Sequence, residues 1–228
     1  MIYLNSVLGL FDLAGNYRKY QISLVKNFIK NTILEVGPGR GEIISHFAHD
    51  KKKKISLLEP DSENFEFLKK KFEKNPNVKV SNLFIADVQE KFETIIYMDV
   101  VEHIENHEEE ILKAYSKLEK NGYLIFIVPA FQLLFSDFDR AVGHYRRYEK
   151  KFFKEFAKSN NIKCVKNHYF DSLGFFIVLI GKILKLKNNK TVSIGIKFWN
   201  LLIIFSRIND TLIFNAFGKS LICVYKKD

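Results

Sequence analysis

The sequence predicts an α/β fold, with a mostly parallel, doubly wound sheet built from strands that alternate with helices. Three observations carry that expectation. Short apolar runs recur between amphipathic segments along most of the chain. The first run, Ile33–Val36, breaks into glycines at alternate positions, Gly37, Gly39 and Gly41. The next run, Ile55–Leu58, ends on a carboxylate, Glu59, followed by Pro60.

In chain order, the first ten residues are apolar and are expected to pack as an extra turn or to fray. Asn16–Lys30 is expected to be a helix, since Tyr20, Leu24 and Phe28 share one face. Strand one and the glycine turn follow, and a helix is expected to open immediately after them. Lys51–Lys54 is expected to be a solvated turn. Strand two is placed at Ile55–Leu58, and Asp61 is positioned to cap a helix that runs to Asn75-Pro76. Strand three is expected at Val78–Ile85 and strand four at Phe92–Met98. A helix over His107–Glu119 is expected to stop at Asn121-Gly122, and strand five spans Tyr123–Val128. Tyr148–Ser159 reads as a helix and Ile162–Phe170 as strand six.

Composition sets wide limits. The chain has 228 residues, 47% of them hydrophobic and 27% charged, as in ordinary globular proteins. One domain of that length buries a substantial core. The 22 Phe and 10 Tyr predict heavy aromatic packing. A net charge of +10 and a pI of about 9.4 permit anionic partners without naming one. Cys164 and Cys223 lie in apolar runs outside any metal-ligand spacing, so free thiols and a reducing cytoplasm are expected. No secretory pattern opens the chain, because Asp12, Asn16 and Arg18 interrupt it.

The glycine turn allows a ligand to approach the main chain, next to unpaired N–H groups at a helix start. A dinucleotide fingerprint wants G-x-G-x-x-G. Here the third glycine position is Glu42, which is unwelcome beside a pyrophosphate. S-adenosylmethionine carries a single carboxylate and a cationic sulfonium, and it suits a site with Glu35 nearby. Glu59 is placed to accept both ribose hydroxyls.

Glu35-Val-Gly-Pro-Gly-Arg-Gly41, Glu59, Ala86-Asp87 and Val101-Glu-His-Ile104 resemble the class I S-adenosylmethionine-dependent methyltransferases, in order, over about residues 16–170. The resemblance implies a Rossmann-like, seven-stranded mixed sheet whose last strand, 219–226, is antiparallel. It implies one domain: a helical cover at 1–30, a core at 31–170, a helical insertion at 171–218 and the last strand at 219–228. It implies S-adenosyl-L-methionine as cofactor, contacted by Tyr17, Glu35, Gly37, Gly39, Gly41, Glu59, Pro60, Ala86, Asp87, Val88, Asp99 and Val100. For Tyr20 core packing is the expectation, and for Asp87 an Asx turn stands beside an adenine contact. His103 and His144 are the candidate catalytic groups, with loop-pinning the other reading of His103. No metal cluster is evident, so no metal is expected.

Ala130–Arg147 is too long for a simple connection and is expected to be functional. Val128-Pro-Ala130, Leu134-Phe-Ser136, Asp139 and Gly143-His-Tyr-Arg-Arg-Tyr148 are similar to a methyltransferase subgroup associated with glycan and lipid-linked sugar assembly. Glu102, His144, Tyr145, Arg146 and Arg147 are the substrate candidates. Guanidinium forks suit phosphate or carboxylate, while pairing of Asp137 and Asp139 with Arg146 and Arg147 is the structural alternative. The acceptor implied is a sugar hydroxyl. The alternatives are a small metabolite of the quinone or secondary-metabolite kind and a catalytically silent binding subunit. Nucleic acid is not expected as a partner. Within the insertion, Leu173–Leu184 and Ile196–Ile208 are apolar helices flanked by lysines (Lys182, Lys185, Lys187, Lys190). They are too short to span a bilayer. A substrate cap, a homodimer surface and peripheral contact with the inner face of a membrane all remain open.

Overall fold

The computed structural model describes residues 14–184 and 189–228, the side chains of 189–193 excepted. The apolar first ten residues and the lysines at 185, 187 and 190 therefore lie outside what is described. The strands are β1 (Thr32–Val36), β2 (Lys54–Leu58), β3 (Val78–Ser81), β4 (Phe92–Met98), β5 (Leu118–Pro129), β6 (Lys163–Phe170) and β7 (Ser220–Lys226). They form one sheet in the order β3-β2-β1-β4-β5-β7-β6. β1 to β5 pair in parallel, and β7 lies antiparallel between β5 and β6, as expected. The helices are α1 (Gly15–Val25), α2 (Ser62–Phe72), α3 (His107–Ser116), α4 (Asp137–Ala141), α5 (Lys150–Ser159), α6 (Ser172–Ile183) and α7 (Asn189–Leu212).

The central strands are apolar on both faces, which is why they read as continuous runs rather than as alternating ones. Ile95 and Tyr97 of β4 enter one core with Phe126, Phe153 and Tyr225. Ile96 and Met98 enter the other with Tyr20, Leu68 and Trp199. Helices α3 and α5 cover the first face, and α1, α2 and α7 cover the second. Each fully buried large side chain contributes about 1.5–3 kcal/mol. Cys164 and Cys223 are free thiols on neighbouring strands, with sulfurs 3.9 Å apart.

Four local expectations are corrected. No α-helix follows the glycine turn; the chain makes turns and a short 3-10 segment at Ile44–His46. The cause is Gly41 at φ +70°, where a Cβ would stand 2.9 Å from the Leu68 side chain, so the turn beds directly on α2. Strand β3 ends at Ser81, because Asn82, Leu83 and Phe84 are exposed. Asn121-Gly122 is no helix stop but an irregularity inside β5: Asn121 (φ +62°) donates to the Lys227 carbonyl. A Cβ on Gly122 would sit 2.8 Å from the Glu119 carbonyl oxygen. Lys54, assigned to the solvated turn, begins β2.

The insertion is held by buried polar groups. Asp210 accepts from the Tyr20 hydroxyl (2.8 Å), from the Asp171 N–H and from the Ser172 N–H. Asp171 caps α6 through Gly174 N–H and accepts from Trp199 Nε1 and Ser206 Oγ. Trp199, Ile203, Ser206 and Asp210 therefore form the inward face of α7. Asp210→Ala strands three buried donors at about 1–3 kcal/mol each. We expect a loss of at least about 3 kcal/mol in urea unfolding with an unchanged m-value; a loss under about 1 kcal/mol would contradict this role.

Candidate active site

The carboxyl ends of the parallel strands share one edge of the sheet, where open α/β folds receive ligands. A cleft there is lined by Arg18, Glu35, Gly37, Gly39, Met98 and Asp99. Gly37 (φ +63°) donates to the Leu58 carbonyl, and a Cβ on it would stand 2.9 Å from Val100 Cγ2. The loop thus passes directly against Val100, a contact that only glycine permits. Glu59 fastens the other side of the loop: its Oε2 accepts from Gly39 N–H and its Oε1 from Asp61 N–H, each at 3.0 Å. Asn82 bridges the carbonyls of Glu59 and Pro60.

Glu35 is 2% exposed, and its Oε2 has no hydrogen-bond partner. Burial pushes its carboxyl up to about 8, with Arg18 and Lys71 pulling the other way. Across the cleft, Arg18 donates from Nη1 to Gln21 Oε1 and lies 3.9 Å from Asp99 Oδ2, while its buried Nε is unpartnered. Asp99 holds φ +54°, a conformation costly for a non-glycine residue, and its N–H donates to the Ile127 carbonyl.

Other candidates sit differently. Tyr17 is buried beneath the cleft: its hydroxyl pairs with Ser220 Oγ at 2.8 Å and its ring packs on Phe170 and Trp199. The adjacent Arg18 is the residue that faces the cleft. Tyr20 packs in the core, as expected. Asp87 closes a local turn by accepting from Phe84 N–H; Ala86 and Asp87 are exposed and Val88 is buried.

A second group of residues lies past the end of β4. Glu102 is fully buried, and neither carboxylate oxygen has a partner. Burial and then the Asp99 charge hold its carboxyl well above the usual range. The His103 and His144 rings meet edge to face at 4.5 Å. Burial and the neighbouring His144 lower His103 to about 4, so it is neutral at pH 7. His144 Nδ1 lies 2.8 Å from Asp139 Oδ1. Asp139 also accepts from Arg147 Nε and Nη2, Ser136 N–H and Ser136 Oγ. Burial alone would raise Asp139, but the bonds from His144 and Arg147 outweigh it and hold the carboxyl far down. With Nδ1–H given to Asp139, His144 keeps Nε2 as an acceptor, the tautomer a general base needs.

The arginines are largely spent on the loop. Arg147 binds Asp139, and Arg146 donates to the carbonyls of Ile104 (2.6 Å) and Glu105 (3.0 Å). Asp137 pairs with Arg140 rather than with either of them. Tyr145 is exposed, with its N–H donating to the Glu102 carbonyl. The roles of Arg18 and Gln21 escape notice in the sequence; the available signal is a polar i, i+3 pair on the cover helix. Sequence spacing also conceals that Glu102, His103 and His144 bring ligand-type atoms within 4.8 Å of one another.

Residues 16–167 match a family model described as a methyltransferase domain. Similar solved structures include coclaurine N-methyltransferase bound to N-methylheliamine and S-adenosylhomocysteine (17% identity, TM-score 0.62, 92% of this chain and 72% of that one). They also include the N-methyltransferase NodS from Bradyrhizobium japonicum WM9 (11%, 0.55, 96% and 93%). A third is phosphoethanolamine N-methyltransferase 2 from Haemonchus contortus, in complex with S-adenosyl-L-methionine (13%, 0.64, 92% and 52%). At such identities the likeness is one of fold. A comparison with curated proteins finds no match. The family model covers most of the chain, from the cover helix into β6, and with the class I sheet order it leads to one conclusion: this chain belongs to the methyltransferase-domain family.

Proposed function

We propose that this methyltransferase transfers its methyl group to a hydroxyl of a glycan or lipid-linked sugar precursor. The donor is S-adenosylmethionine. The observation that carries the donor site is a pair of buried, unpartnered polar atoms on one cleft, Arg18 Nε and Glu35 Oε2. The methionine end of the donor is a zwitterion. Its carboxylate suits the guanidinium and its ammonium suits Glu35. Glu59 then lies toward the ribose, Ala86–Val88 toward the adenine, and the Asp99–Val100 main chain along the methionine arm.

Chemistry at the sulfonium is an in-line displacement. The acceptor oxygen forms the new bond to the methyl carbon, the C–S bond breaks, and its electron pair returns to sulfur. The protein aligns the reactants and excludes water. A base is needed when the nucleophile is a hydroxyl, and the Asp139–His144 pair supports that choice of acceptor.

The lipid-linked part of the reading rests on the outer face of α7. Phe198, Leu201, Ile204, Phe205 and Ile208 are each more than half exposed, so the helix is apolar on both sides. Exposed Lys182, Lys197 and Arg207 accompany that face on a chain of net charge +10, a combination suited to an anionic bilayer surface. No helix among the described residues is long and apolar enough to cross a membrane. The protein is expected to float with vesicles containing phosphatidylglycerol, and Phe198→Ser with Phe205→Ser to reduce the floated fraction several-fold. Equal recovery with neutral vesicles, or no effect of the double variant, would contradict membrane docking. Methylation of sugar-lipid acceptors in preference to quinone-like ones tests the acceptor class.

Glu35 gives the donor site a pH signature. Held at about 8, it is protonated at pH 7 in the free protein, and a facing ammonium draws its pKa down. Binding of S-adenosylhomocysteine therefore releases a proton, and affinity rises as pH goes from 6 to 8, by at most about tenfold per unit. The unliganded fold loses stability over about pH 4.5 to 8, because the unfolded chain ionises this group first. Calorimetry in two buffers of different ionisation enthalpy reads the proton directly. A pH-independent affinity, or an unchanged pH dependence in Glu35→Gln, would contradict this pairing.

A further inference from the structure

We propose that Glu102, His103 and His144 form a binding site for a divalent transition-metal ion of the zinc class. Their ligand-type atoms already lie within 4.8 Å of one another, although His144 reaches the cluster from a different loop. Zinc ligands stand about 2.0–2.2 Å from the ion, so a small inward rotation of the side chains closes the set. Two imidazoles and one carboxylate are a donor set suited to zinc, iron or manganese, and three protein ligands leave positions open.

The independent observation is Glu102 itself. Both of its carboxylate oxygens are fully buried without a donor, whereas buried polar groups in folded proteins are usually paired. A cation between Glu102 and the two rings would satisfy both oxygens at once. The surrounding charge favours a cation too, since Asp99 and Asp139 are the nearby acids and Arg147 is already engaged by Asp139. The Asp139–His144 hydrogen bond is the outer contact that metal-bound histidines commonly make; it fixes the ring with Nε2 free.

The ion's task rests on the methyltransferase reading above, while its binding does not. An acceptor hydroxyl at an open position is acidified by the ion and releases its proton to water. The resulting oxyanion forms the bond to the methyl carbon, and the C–S electron pair returns to sulfur. With the ion in place, both histidines are ligands, and the ion replaces His144 as the group that readies the hydroxyl.

The test is calorimetric titration of ZnCl2 into the EDTA-treated full chain, with Co2+ as a visible-absorption probe and without any nucleoside present. We expect about one ion per chain, with Glu102→Gln and His144→Ala each weakening it more than tenfold. Asp139→Asn should weaken it by about 10–100-fold. Glu102→Gln is nearly isosteric with the neutral acid, and the exposed control His49→Ala should bind as the parent does. Absence of saturable binding by the parent would overturn the proposal, as would equal affinity in Glu102→Gln and His144→Ala. S-adenosylhomocysteine binding by the same variants keeps the two sites distinct: retained nucleoside binding with lost metal binding supports the assignment, and lost nucleoside binding with retained metal binding overturns it.

Discussion

The loop between β5 and α5 depends on one buried carboxylate, Asp139. Five donor atoms converge on it, from Ser136 (N–H and Oγ), His144 and Arg147 (Nε and Nη2). A charge with 0% exposure is costly to bury unless it is paired and hydrogen-bonded in this way. The result is that a long connection after β5 becomes a fixed object. Tyr145 N–H on the Glu102 carbonyl and Arg146 on the carbonyls of Ile104 and Glu105 then stitch it to the end of β4. His144 meets His103 because both ends of this stitching are satisfied.

The same logic governs the rest of the sheet edge. Asp99, Phe131 and Asp171 each follow a strand and each hold a positive φ without being glycine. Such conformations persist only where the surroundings over-determine them. Asp99 has the Ile127 carbonyl for its N–H, Phe131 donates to the Tyr148 carbonyl, and Asp171 sits in the network with Asp210. Strain is concentrated where the strands hand the chain to the site, and polar contacts offset it from both sides. The glycine loop is fastened in the same manner, by Glu59 on one flank and by contact with Val100 on the other.

Much of this was legible in the residues, for definite reasons. Central strands buried on two faces are continuous apolar runs, and those runs located β1, β2 and β4 to within one residue. Glycines at alternate positions after β1 pointed to the cleft, because close main-chain approach and positive φ leave few other residues. What stayed hidden depended on partners distant in sequence. Nothing local says that Gly41 packs on Leu68 and Phe72 and so replaces the expected helix with turns. Arg18 reads as an ordinary charge on a cover helix until the fold sets it opposite Glu35. For Arg146 and Arg147 the residues offered both anion binding and pairing with the loop's aspartates; the structure pairs Arg147 with Asp139 and gives Arg146 to the carbonyls of Ile104 and Glu105. Tyr17 illustrates the converse, a polar aromatic whose hydroxyl is taken by Ser220 beneath the cleft.

Donor binding in the glycine-loop cleft is what every assignment at this sheet edge requires. The most direct measurement is calorimetric titration of S-adenosylhomocysteine into the parent and into Gly39→Arg. Gly39 holds φ +54° and donates its N–H to Glu59, so an arginine there fills the cleft and disturbs the clamp. Saturable binding by the parent that the variant loses, with the variant still folding cooperatively, is the predicted result. Equal binding by both proteins would place the donor elsewhere on the molecule and contradict the account.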